Sequence, residues 1–348
     1  MKFDLSSGST LRIFLISGII TVGALIAVAL GLGVEALIVA LILVAVELAF
    51  SFDNAIINAK VLAKLSPFWQ KMFLTVGVVI AIFGMRVVFP LLIVMVTAHL
   101  DWQTVTNLAL HHPEQYADKL QLAHPSISAF GGSFLLMLAL HFFMDDNKEV
   151  VWLKRIERPL QKFSRWWLPS LVTLVVITIF SVVPLNHHPL DSIRAGLIGI
   201  GLYLVINLFT EWIGRVAGKR AGDTAHQTGM LAFLSFMYLQ VLDASFSFDG
   251  VIGAFAITNE IVLIAAGLGI GAIWVRSLTV YMVRKGTLTT YKFLEHGAHY
   301  AVTVLAATMF VSLWIDVPEV ITGVLGIGLI AASVIASRNA RREHATAV

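Results

Sequence analysis

Cysteine is absent from the 348 residues. Disulfides, thiolate metal sites and cysteine nucleophiles are therefore excluded. Charge is scarce as well: Asp, Glu, Lys and Arg make up 13% of the chain, against about 25% in ordinary soluble domains. A Walker-type phosphate loop is also missing. The nearest approach, Gly214-Arg-Val-Ala-Gly218-Lys219, has the wrong spacing, and Arg220 stands where Ser or Thr would hold magnesium. Direct ATP-driven pumping by this chain alone is not expected. Proline is limited to nine residues, and all but Pro90 are expected at helix ends or in loops, Pro125 and Pro159 included. Pro90 should kink its helix near Phe89.

What the chain has instead is apolar length. Hydrophobic residues form 58% of it, in runs that exceed the ~18 residues of a bilayer-spanning helix. The expected fold is all-α, a polytopic transmembrane bundle of about ten spans near 12–31, 35–60, 72–97, 128–146, 168–185, 192–213, 229–256, 260–284, 297–315 and 318–336. The first run has Lys2 and Arg12 before it and no small-residue cleavage site after it, and reads as a retained span. The net charge of +3 resides in loops, where it reports orientation rather than nucleic-acid binding. Lys60, Lys64 and Lys71, then Lys148 to Arg165, then Arg215 to Arg220, then Arg284 to Lys292 mark every second loop as basic. A multi-pass protein of the cell (inner) membrane with both termini cytoplasmic follows. Residues 148–167 mix basic residues with Trp152, Trp166 and Trp167, which fits an inner interfacial amphipathic stretch or an ordinary linker.

One octapeptide occurs twice. Glu47 to Asn54 reads E-L-A-F-S-F-D-N and Asp243 to Gly250 reads D-A-S-F-S-F-D-G, each with acids at its first and seventh positions. An acid at mid-bilayer costs about 2.5–3.5 kcal/mol on insertion scales, so buried acids repeated in register point to function. With ten spans, the copies run in opposite directions. That divides the chain into an N-terminal repeat, 1–185, and an inverted C-terminal repeat, 186–348. Arg86 and Arg276 extend the correspondence, each one helix downstream of its motif. Inverted repeats meeting at the midplane characterise many secondary transporters.

Helical spacing puts Glu47, Ser51, Asn54 and Asn58 on one stripe, and Asp243, Ser247 and Gly250 on another. Asp53 and Asp249 lie roughly 120° away on an ideal helix. Either the helix unwinds near Ser-Phe-Asp and swings them into the same site, with Gly250 and Gly253 easing this in the second copy, or they pair with Arg86 and Arg276. Phe50, Phe52, Phe246 and Phe248 are expected to pack around the cleft. The metal-binding candidates are thus Glu47, Ser51, Asp53, Asn54, Asp243, Ser247 and Asp249. Their oxygen chemistry suits Mn²⁺, Ca²⁺ or Mg²⁺ as a transported ion rather than a tightly bound cofactor.

Other polar groups read more plainly. Glu295 and His299 share a helical face beside His296, fitting an ion or proton relay or an interfacial cap. His141, Asp145, Asp146 and Glu149 close span four as a vestibule or a charged helix end. His111-His112 and His187-His188 are expected in solvated loops, and the glycines at 267, 269 and 271, and at 323, 326 and 328, in close helix packing.

The two acidic octapeptides and the run Glu295-His-Gly-Ala-His299-Tyr300 resemble the TerC superfamily of integral membrane proteins, closest to its long branch, over nearly the whole chain. The resemblance implies membrane metal-ion transport, chiefly manganese efflux, with a link to tellurium-ion resistance. By motif position it implies a metal-site role for Glu47, Asp53, Asn54, Asp243 and Asp249. Gly250 departs from the pattern, where the first copy has Asn54.

The expected function is a secondary transporter, not an enzyme, exporting a divalent cation with manganese first. Its expected partners are the cation and the lipid bilayer, with no nucleic acid. One rival is a membrane scaffold that supports metallation or assembly of secreted proteins, or metal-stress resistance without direct transport. The other, ranked last, is an intramembrane enzyme with paired carboxylates, which lacks a histidine in the motif.

Overall fold

A computed structural model of the chain describes residues 8–146, 148–186, 188–218, 228–255, 257–258, 260–315 and 317–346. Among them there is no strand. The helices, in chain order, are α1 (Gly8–Phe50), α2 (Phe52–Leu62), α3 (Pro67–Leu74), α4 (Val76–Val79), a π-helical segment (Ile80–Val88), α5 (Phe89–Thr97), α6 (Trp102–His111) and α7 (Pro113–Phe143). They continue with α8 (Lys154–Lys162), α9 (Leu168–Val182), α10 (Pro189–Gly218), α11 (Gly229–Phe255), α12 (Ile261–Lys285), α13 (Thr287–Thr290), α14 (Leu294–Val311) and α15 (Glu319–Thr346).

The chain forms two compact units, Met1–Gln121 with Leu242–Thr287, and Leu122–Val241 with Leu288–Val348. Each draws on both sequence halves, 1–185 and 186–348. In the first unit α12 is the axis. Helix α1 breaks at Gly33, whose φ of 90° and ψ of 177° suit glycine alone. Before the break, Ser17 Oγ meets Ser277 Oγ at 2.6 Å and Trp274 Nε1 donates to Thr21 Oγ1 at 2.8 Å. Numbers thus rise along α1 as they fall along α12. After the break the sense reverses: a Cβ at Gly267 would lie 2.6 Å from Leu43, and one at Gly271 would collide with Glu47. The chain therefore doubles back at Gly33, and both arms pack on α12. This is where the sequence places the boundary between its first two spans.

The expected kink at Pro90 is not a single bend. The segment 67–97 breaks at Thr75, passes through the π-helical turns of Ile80–Val88, and returns to α-helix at Phe89. Pro90 has no N–H for the carbonyl of Arg86, so the wider π turns end where the regular ladder would be broken. Two other expectations need correction. Pro125 lies inside α7 and Pro159 inside α8, rather than at ends or in loops. Residues 102–111 form a helix of their own, capped by Asp101 Oδ2, which accepts the N–H groups of Gln103 and Thr104.

In the second unit, α9 packs on α10 and α14 on α15, as close approaches show. A Cβ at Gly196 would lie 2.5 Å from Ile177, and one at Gly297 would meet Ser333. Ala129, Ile177, Phe310 and Leu313 form a buried cluster, and Trp314 stacks on Phe180 at 4.4 Å.

Among the described residues, seven helices are long and apolar enough to cross a membrane: Ile13–Ala49, Pro67–Thr97, Pro113–Phe143, Pro189–Leu208, Gly229–Phe246, Ile261–Lys285 and Val320–Arg342. The first, at 37 residues, is about 55 Å long if straight, nearly twice a ~30 Å hydrocarbon core. It contains the reversal at Gly33. The remaining expected spans correspond to the shorter apolar helix Leu168–Val182 and to α14. Leu15, Ile16, Ile19 and Leu30 on α1, and Val320, Val324 and Ile335 on α15, are exposed as lipid would require. The chain is an all-α, multi-pass membrane protein.

Candidate functional site

The first octapeptide spans the junction of α1 and α2. Ser51 leaves helical geometry there (φ −98°, ψ 16°). Even so, Ser51 N–H reaches the Glu47 carbonyl at 3.0 Å and Ala55 N–H the Ser51 carbonyl at 3.2 Å. The junction is a kink, not an opened strand. The second octapeptide lies within α11, which is continuous through Gly250 and Gly253. Unwinding of the second copy is therefore corrected: the helix runs on unbroken, and Asp243 is met by side chains from α2 and α12.

All the partners below belong to the first unit. Glu47 is 5% exposed and Asp243 5%. Arg86, from the π-helical segment, donates through Nη2 to Glu47 Oε1 at 2.5 Å, and Ser51 Oγ donates to the same oxygen at 3.1 Å. Arg276, from α12, donates through Nη2 to Asp243 Oδ2 at 2.6 Å. Each arginine spends its Nη1 on a carbonyl, Ala81 at 2.7 Å for Arg86 and Phe73 at 3.2 Å for Arg276. Asn54 adds to the Asp243–Arg276 pair: its Nδ2 donates to Asp243 Oδ1 at 3.0 Å, and its Oδ1 accepts from Asn58 Nδ2 at 2.7 Å. Glu47 and Asp243 are close enough to act on each other electrostatically, as are Arg86 and Asp243.

The copies meet reciprocally. Asn54, eighth in the first copy, bonds the first acid of the second. Gly250, eighth in the second, faces the first acid of the first: a Cβ there would lie 3.5 Å from Glu47 Oε2. The shorter acid faces the amide and the longer acid faces the glycine. Gly271 serves the same cluster by letting α12 approach Glu47 closely.

The expected site residues divide accordingly. Glu47, Ser51, Asn54 and Asp243 come together. Asp53 is buried on α2, where Oδ1 accepts the N–H of Asn54 at 2.8 Å, close to the helix N-terminus that favours a negative charge. It does not pair with Arg86, and that alternative is corrected: the arginine is taken by Glu47. Ser247 and Asp249 have side chains outside the described residues. Among the described residues no three His, Asp or Glu groups are arranged to hold a metal. One oxygen keeps spare acceptor capacity: Asn58 Oδ1 is buried with no hydrogen-bond partner among the described residues.

A further buried carboxylate, in the second unit, escapes sequence reasoning. Glu157 of α8 is fully buried. It accepts from Lys148 Nζ at 3.0 Å, Tyr300 Oη at 3.3 Å and the backbone N–H groups of Trp152 and Leu153, and lies 3.3 Å from His296 Nε2. Burial alone would raise its carboxyl, but the bonds from His296 and the Leu153 backbone prevail and hold it down at about 2. Its signal in the sequence is an isolated acid inside the basic run K-R-I-E-R-P-L-Q-K. His299 bonds the Glu295 carbonyl and stacks on Phe142 at 3.7 Å, which fits a structural cap. Asp145, Asp146 and Glu149 are exposed, as a charged helix end would be. His111 and His112 are exposed, whereas His187 lies outside the described residues.

Fold and cluster together define a helical membrane protein that keeps two acid–arginine pairs inside its apolar spans, one of them bonded by an asparagine from the other octapeptide. The model of the family described as "Protein of unknown function (DUF475)" matches residues 52–344, most of the chain, and the chain belongs to that family. The match opens inside the first octapeptide and contains the second entirely. No curated protein and no solved structure matches the chain.

Proposed function

We propose that the protein is a secondary transporter that carries a divalent cation, manganese first, through the cluster shared by its two acidic octapeptides. The reciprocal contact of the copies carries this reading. One polar site made by two related segments is what alternating access needs, because the same ligands can then be offered to either side in turn. The site is rich in oxygen, from two carboxylates, two amides and Ser51, and Glu47 Oε2 faces the space at Gly250. Oxygen ligands suit manganese, calcium and magnesium. Arg86 and Arg276 neutralise the acids when no ion is held. An arriving cation would take their place, and their release would couple occupancy to helix movement. The ten-span inverted repeat, cytoplasmic termini, export direction and proton exchange belong to this proposal. So do metal-site roles for Asp53 and Asp249 and the resemblance to the TerC superfamily.

A non-transporting membrane scaffold is the second reading. It is favoured by the pairing of each acid with its own arginine, which also describes a structural lock. The two are separated by Asp53→Asn and Asp249→Asn, each expected to abolish manganese efflux from cells while leaving the protein in the membrane. Undiminished extrusion by both variants rejects transport through this site.

A further inference from the structure

Helix α8 and the residues after it present a surface that the transport reading does not use. Its inward face is Glu157, Leu160 and Gln161. Glu157 is clasped as described, and Gln161 Nε2 donates to the carbonyls of Asp145 and Lys148 at 3.3 and 3.1 Å. Its outward face is Lys154, Arg155, Arg158 and Lys162, all exposed. Positions i, i+1, i+4 and i+8 share one side of a helix. The one acid of the helix is thus turned inward and neutralised, leaving the outer side uniformly cationic. The acids Asp145, Asp146 and Glu149 are exposed too, but on the loop before the helix.

Apolar side chains flank the cations. Ile156 is 50% exposed, Phe163 67%, Trp166 85% and Trp167 39%. The chain then enters the apolar helix α9 at Leu168, whose Leu171, Val175 and Ile179 are exposed, so this surface lies at the start of an exposed apolar segment. A rigid basic helix face edged by exposed tryptophans beside an apolar helix has the chemistry of the headgroup layer, where aromatic rings settle and anions attract Lys and Arg.

We infer that this surface is a binding site for anionic phospholipid headgroups, with Lys154, Arg155 and Arg158 as its cationic contacts and Glu157 as the residue that positions them. The occupant is a lipid rather than an acidic protein, because the aromatic flank continues directly into the exposed apolar face of α9.

The test is native mass spectrometry of the full chain released from detergent, with phosphatidylglycerol, phosphatidylcholine or inorganic phosphate added separately. The wild-type chain should retain phosphatidylglycerol over phosphatidylcholine, and Lys154→Gln with Arg155→Gln and Arg158→Gln should weaken that preference by about fivefold per cation removed. Inorganic phosphate at equal concentration should not compete. As a check that needs no variant, the preference should collapse when protein and lipid are equilibrated in about 1 M salt before exchange, where screening acts within about 3 Å. Equal retention of the two lipids by the wild-type chain, an unchanged preference in the triple variant, or displacement by inorganic phosphate would each overturn the assignment.

Discussion

The two octapeptides share four of eight residues yet differ where they touch. The first, on a kinked helix, offers a long acid and an asparagine; the second, on a continuous helix, offers a short acid and a glycine. Because the eighth residue of each copy faces the first residue of the other, the differences cancel across the contact. Asn54 spans the gap to the short Asp243, and Gly250 leaves room for the long Glu47. The copies are complementary rather than identical, so neither can be interpreted without its partner. Their arginines show the opposite behaviour. Arg86 and Arg276 come from different kinds of helix yet make the same two bonds, one to an acid and one to a carbonyl.

The harshest way to break the comparison is to remove one arginine. Arg86→Met and Arg276→Met should each destabilise the protein by about 3–5 kcal/mol in detergent, because each leaves a buried carboxylate unpaired. Pairing Arg276→Met with Asp243→Asn should recover much of that loss. Thermal unfolding with matched detergent reads both. If either arginine can be removed at no cost, the two pairs are not equivalent.

A gentler substitution sharpens the reciprocity. Asp243→Glu lengthens the acid opposite Asn54 and should cost about 1–3 kcal/mol through overpacking. Adding Asn54→Gly reproduces the Glu47–Gly250 arrangement and should relieve it, giving a coupling of at least about 0.5 kcal/mol in a double-mutant cycle. Strict additivity would mean that Asn54 and Asp243 do not depend on each other's size.

Much of this was legible in the sequence, for identifiable reasons. The duplicated acids stood out because charge is costly in apolar runs, and the helical stripe of Glu47, Ser51 and Asn54 follows from period alone. The boundary at Gly33 follows from run length, and the tight packing of Gly267 and Gly271 from glycine standing inside a span, although Gly328, inside another, has open space beside it. What period could not supply was the partner of each arginine. Arg86 and Arg276 were matched to their motifs, but whether they meet the first or the second acid depends on helix rotation, which the π-helical turns around Arg86 alter. Pro125 was misplaced because a proline reads as a boundary, while α7 carries it within. Glu157 is lost among basic neighbours because its five partners come from the loop before α8 and from α14, which only the fold brings together.

The account stands on cation passage through the shared cluster, and metal-by-metal flux in sealed vesicles containing only this protein tests it most directly. Manganese should cross faster than in protein-free vesicles, and faster than calcium or magnesium, with the movement lost in Asp243→Asn. Vesicles holding correctly folded protein that pass none of the three ions would contradict it.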